Sequence, residues 1–167
     1  MNRIRSIDGL VVSLALAAAL FPRPAAGQSV YSAIDHALSA CASMVVSGGT
    51  WEALVADLKG AGYAIAGGEF RLRAEWGVLM ITSVNSAGCF VQPPEMDPDR
   101  VLGLTRIFVA GLGDAWKAGV VDDTQQAGGE TYRVTDWKAP RAEITFVRAP
   151  DGRTHIGFKQ PDELPPF

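Results

Sequence analysis

Two cysteines, Cys41 and Cys89, are the only ones in the chain, and the segment that carries the second one organises the rest. Residues 76–94, WGVLMITSVNSAGCFVQPP, read as a β-hairpin. Residues 78–84 are β-branched and apolar, Asn85, Ser86, Ala87 and Gly88 supply turn chemistry, and residues 89–91 form the returning strand. Pro93 and Pro94 cannot donate to a ladder, so the sheet stops there and a new helix begins. Cys41 lies far upstream on a predicted helix. A Cys41–Cys89 bridge therefore clamps that helix to the hairpin, provided the compartment is oxidising.

The N-terminus supplies that condition. Arg3 and Arg5 make a basic start, residues 9–21 are apolar, and Ala25, Ala26 and Gly27 place small residues before a cut at Gln28. This is a signal-peptide pattern, and its apolar run is shorter than the ~20 residues a membrane span needs. No later segment is a spanning candidate. Residues 1–27 are accordingly expected to be removed, leaving residues 28–167 as a single domain in the periplasm or secreted. Leu38, Ser39, Ala40 and Cys41 match a lipobox, but Arg23, Asp35 and His36 separate them from the apolar run, so lipidation is not expected. Cleavage leaves 12 Lys+Arg against 17 Asp+Glu, a formal charge of −5 in place of −3. An acidic exported domain of this kind does not suit nucleic acid as a partner.

Helical spacing predicts a first helix over 29–46, with Val30, Ile34, Ala37, Leu38, Cys41 and Val45 on one stripe. Gly48 and Gly49 end it, and Thr50 caps a second helix carrying Trp51, Leu54, Val55 and Leu58. The two form a helical hairpin. Strict alternation over 70–76 predicts a half-buried strand. Asp97 as N-cap, Pro98 at the first helical position and Asp99 in the first turn open a third helix, with Val101, Leu104, Phe108 and Leu112 as its expected buried face. Residues 114–129 show no clear periodicity and read as a long connection. Strands follow over 130–137, 142–148 and 153–159, the last two joined by a turn at Ala149, Pro150, Asp151 and Gly152. Residues 160–167, with three prolines, form an extended tail. The fold class is α+β: a helical hairpin and a third helix packed on an antiparallel meander sheet.

An internal echo is present. Phe90, Val91, Gln92 and Pro93 close the first hairpin as Phe158, Lys159, Gln160 and Pro161 close the last. Ile81 and Thr82 match Ile144 and Thr145. The order points to an αβββ duplication over 50–95 and 97–163; the alternative is two generic meanders. The helix-plus-meander layout is similar to that of small secreted inhibitors such as the β-lactamase inhibitors, a fold-level analogy that carries no residue correspondence.

Catalytic chemistry finds little support. His36 shares a helical face with Ser32 and Ser39, but no strained turn or oxyanion-hole glycine accompanies it. His155 lies beside a turn on a strand. Zinc and EF-hand spacings are absent, as are nucleotide-binding glycine fingerprints. No metal site and no cofactor are expected. Arg71, Arg73 and Arg133, with Arg148 and Lys159 as further members, are the candidate basic face for a carboxylate or phosphate, although the interspersed Glu69, Glu75, Glu130 and Asp136 favour an ordinary solvated face. Trp51, Trp76, Trp116 and Trp137 are expected mainly in the core. The candidate binding loop is the connection carrying Asp122, Asp123, Thr124, Gln125 and Gln126, anchored at its base by Trp116 and Val120.

The chain thus reads as a small, exported, disulfide-stapled binding or inhibitor-type module without catalytic activity, its partner another protein or an envelope component. The alternatives are a small periplasmic hydrolase using a histidine, and an accessory subunit of an envelope complex.

Overall fold

The computed structural model describes residues 28–66, 68–84, 88–119, 121–127 and 129–160. The leader, the turn at 85–87, the anchor assigned to Val120 and the tail from residue 161 lie outside these. The element order is α1 (Val30–Val45), α2 (Trp51–Gly60), β1 (Ala64–Ala66), β2 (Glu69–Ala74), β3 (Gly77–Val84), β4 (Gly88–Gln92) and α3 (Pro98–Gly111). A 3-10 helix (Asp114–Gly119) and β5 (Val121–Ala127), β6 (Glu130–Ala139), β7 (Ala142–Arg148) and β8 (Thr154–Lys159) complete it.

The helix starts follow local chemistry. Ser29 Oγ accepts from the Ser32 amide at 3.1 Å, Thr50 Oγ1 from Ala53 at 3.2 Å, and Asp97 Oδ1 from Asp99 at 3.1 Å. Each satisfies an amide that has no partner within its own helix. On α1 the expected stripe is buried, from Ile34 through Ala37, Leu38 and Cys41 to Val45. On α3 the buried row is Val101, Thr105 and Val109, while Leu104, Phe108 and Leu112 are only partly buried. The expected face is thus rotated. Thr105 can turn inward because its hydroxyl donates to the Val101 carbonyl at 2.9 Å, leaving no unsatisfied polar group.

All eight strands lie in one antiparallel sheet of order β1-β2-β3-β4-β8-β7-β6-β5. Two four-stranded meanders meet at the β4–β8 pair, with Cys89 opposite Phe158 and Val91 opposite Ile156. The duplication read from the sequence gains no support. Phe158 is fully buried in the core, whereas Phe90 lies opposite Gly157 on the other side of the sheet. The echoed phenylalanines therefore face opposite ways, a one-residue slip that equivalent repeats would not show.

One core joins the helices to one side of the sheet. Ile34, Leu38 and Val101 share it with Phe70, Leu72, Leu79, Ile81, Val91, Ile144, Phe146, Ile156 and Phe158. Cys41 and Cys89 form a disulfide inside it, with Cα atoms 5.5 Å apart and no solvent exposure. The bridge ties α1 to the central strand β4. Trp116 and Trp137 are in the core at 4% and 3% exposure, and Trp51 tilts against Phe70 with ring centroids 5.3 Å apart.

Candidate functional site

Residues that alternate with the core positions point away from the helices. They include Arg71 and Arg73 on β2, Val78, Met80 and Thr82 on β3, and Phe90 and Gln92 on β4. On the other meander they are His155, Gly157 and Lys159, then Glu143, Thr145 and Val147, then Val134, Asp136 and Lys138. None of these belongs to the helix-side core, and among the described residues no helix packs on this face.

This helix-free face is not open throughout, since Val134, Thr145, Val147 and Lys159 on it are 3%, 3%, 8% and 9% exposed, and it has an organised centre. Lys138, Glu143 and Lys159 are neighbours across β6, β7 and β8. The Glu143 carboxylate receives Lys159 Nζ at 3.3 Å and Lys138 Nζ at 3.6 Å. The Lys159 and Glu143 side chains are only 11% and 12% exposed, so this is a largely desolvated pair rather than a surface one. The next row runs Asp136, Thr145, Gly157, Phe90, Thr82. Phe90 lies over Gly157, where a Cβ would meet its ring at 3.1 Å; glycine is what lets the ring settle on the strand. Asp136 Oδ1 and Thr145 Oγ1 are buried and have no hydrogen-bond partner among the described residues. Val134 and Val147 form a third row with His155, the two valines buried and the imidazole half-buried. Burial first, and then the Arg153 charge, pull the His155 pKa below its usual 6.5, with Asp151 opposing. His155 is therefore neutral near neutral pH.

At one end of the sheet the face runs into a cleft of about 1040 Å³, reached through Val78, Met80 and Gln92. Three connections shape it. The β2–β3 turn supplies Trp76 and Gly77, the latter at φ 121° with its Cα facing Pro94, where a Cβ would approach to 3.1 Å. The β4–α3 segment supplies Pro93 and Pro94. The β7–β8 turn supplies Asp151 and Arg153, fixed by the Arg153 amide donating to Asp151 Oδ1 at 3.0 Å. Trp76 Nε1 donates to the Gln28 carbonyl at 3.1 Å, which pins the start of the described chain beside this cleft.

The other expected site residues fall elsewhere. Trp116 is buried in the 3-10 helix, and Asp122, Asp123, Thr124, Gln125 and Gln126 lie in β5, an edge strand paired to β6, rather than in a loop. A polar edge strand shows no apolar alternation, because one side of its ladder is open and charged residues there discourage further pairing. Arg133 does not join Arg71 and Arg73: it pairs across the strands with Arg148 and shares the parity of Thr135 and Trp137, which places it on the helix side. Lys159 does belong with the uncovered face. His36 Nε2 sits 3.1 Å from Asp57 Oδ2 across the helical hairpin, while Ser32 is held by the Ser29 cap, so no Ser–His pair forms between them. The polar centre at Glu143, Lys159, Asp136 and Thr145 was not singled out in sequence. Its only signal is the parity of polar residues on β7 and β8 opposite a core row.

Among the described residues no helix is long and apolar enough to cross a membrane, and no group of three His, Cys, Asp or Glu side chains is placed to hold a metal. No protein-family model, no curated protein and no solved structure matches the chain. The likeness of layout to small secreted inhibitors therefore rests on element order alone.

Proposed function

We propose that residues 28–167 are an exported, non-catalytic binding module whose helix-free sheet face receives a protein partner at its partly open β2–β4 part. The observation that carries this reading is that the described helices pack on one side of an eight-stranded sheet, while the β2–β4 part of the other side is partly open to solvent. Toward β2–β4 its helix-free face mixes the part-exposed Met80 and Phe90 with the exposed Arg71 and Arg73. Apolar and aromatic anchors surrounded by charged residues are the make-up of a protein interface, with the anchors supplying most of the energy. The cleft at its end has room for a protruding side chain or loop. Export is supported by the leader pattern and by a buried disulfide, which is compatible with an extracellular or periplasmic location.

The test is capture from an envelope extract of the source organism. Met80→Glu places a charge in the middle of the face, while Ile107→Glu alters an α3 side chain that is 74% exposed on the other side of the molecule. The expected result is a partner captured by the wild type and by Ile107→Glu but lost, by about ten-fold or more, with Met80→Glu. No specific partner, or equal loss with both variants at unchanged melting temperature, overturns the reading.

A further inference from the structure

We propose that a groove on the helix side, between α3 and the outer strands β5–β7, binds a small doubly charged oxyanion between Arg133 and Arg148. The groove has a volume of about 390 Å³, at the lower end for small-molecule sites. Leu102 and Phe146 give it apolar walls, and Arg106 brings a third guanidinium from α3. It lies on the opposite side of the sheet from the docking face and does not depend on that reading.

Arg133 and Arg148 are direct partners across β6 and β7, so both side chains leave the sheet on the same side. Like charges placed opposite each other weaken a sheet. Here only one described carboxylate lines the groove with them, Asp99, whose Oδ1 is 3.4 Å from Arg148 Nη1 and whose side chain is 80% exposed. A contact that open to water contributes little. Paired guanidiniums beside an apolar wall present planar donor forks whose geometry suits a carboxylate or a phosphate. Thr124 and Thr135 add hydroxyl groups to the lining. A ligand with two anionic groups would offset the like charges of the two arginines, of which only Arg148 has a described carboxylate partner.

Two probes distinguish the sources of that chemistry: inorganic phosphate for phosphate esters and succinate for dicarboxylates. The purified protein is titrated with each and followed by calorimetry and thermal melting, with sodium chloride at matched ionic strength as control. Saturable binding of one or both is expected, the tighter one naming the class. Arg133→Gln and Arg148→Gln should each weaken it by about ten-fold or more. Asp99→Asn, which removes the competing carboxylate, should tighten it. Arg133→Gln should also leave the ligand-free melting temperature unchanged or raised, because it removes one of two like charges on directly paired strand positions. The proposal is overturned if neither anion does more than sodium chloride, if both arginine variants bind as the wild type does, or if Arg133→Gln only destabilises and leaves binding intact.

Discussion

Glu143 is the residue on which the uncovered face depends most. It compensates Lys159 in a setting with little water, and removing one partner leaves the other charge uncompensated. Glu143→Gln should therefore destabilise the fold by about 3 kcal/mol, whereas Glu143→Leu combined with Lys159→Met should recover most of the loss. Chemical denaturation of the two variants checks this. His155 gives a pH dependence of definite sign. Its folded-state pKa lies below 6.5, so the unfolded chain takes up the proton more readily. Its contribution is complete above the unfolded value and is lost as pH falls through the folded one. Melting temperature should drop as pH falls below about 6.5, and the drop should be smaller for His155→Gln. Tyr63 offers the opposite case. Its hydroxyl is buried without a hydrogen-bond partner, and burial, followed by the charge of Asp57, pushes its pKa far above the usual 10.0. Tyr63→Phe removes an unsatisfied group and should leave stability unchanged or raise it by up to about 1 kcal/mol in the same denaturation experiment.

Among the elements, α1 and β4 hold the structure together through the Cys41–Cys89 bridge, which closes a sequence separation of 48 residues. In the chain-entropy treatment such a loop stabilises by about 4 kcal/mol, so reduction or a Cys41→Ala/Cys89→Ala pair should lower the melting temperature sharply. Protection from hydrogen exchange should be highest along the β4–β8 seam, which has a paired strand on each side, and lowest in β1 and β5 at the two edges. The elements were legible in the sequence where burial imposes a period. Alternation marked β2, and the apolar runs and turns marked β3, β4, β7 and β8. Capping residues marked the starts of α2 and α3, whereas the Ser29 cap of α1 was not read. What escaped were features set by tertiary context. β5 is polar because it is an edge, and Thr105 is buried because a local hydrogen bond permits it. Arg133 was misplaced although Trp137, four positions along the same strand, shares its parity and lies in the core. The polar centre is built by consecutive strands β6, β7 and β8, so its parity was present in the sequence, but nothing local showed that this side of the strands would be buried too.

At the scale of the whole molecule, one sheet carries two different sides. The helix side holds the disulfide, the aromatic core and, toward its outer strands, the arginine groove. The other side holds a desolvated ion pair, half-buried apolar residues and the mouth of the large cleft. Placing the partner on this second side is the central claim, and lysines on the two sides test it directly. Lys138 is on the uncovered face with its side chain 59% exposed, and Lys59 is exposed near the end of α2 on the helix side. Amine-reactive cross-linking of the captured complex, read by mass spectrometry, reports which lysine lies near the partner. Cross-links from Lys138 with none from Lys59 are the predicted result; cross-links from Lys59 with none from Lys138 would contradict the account.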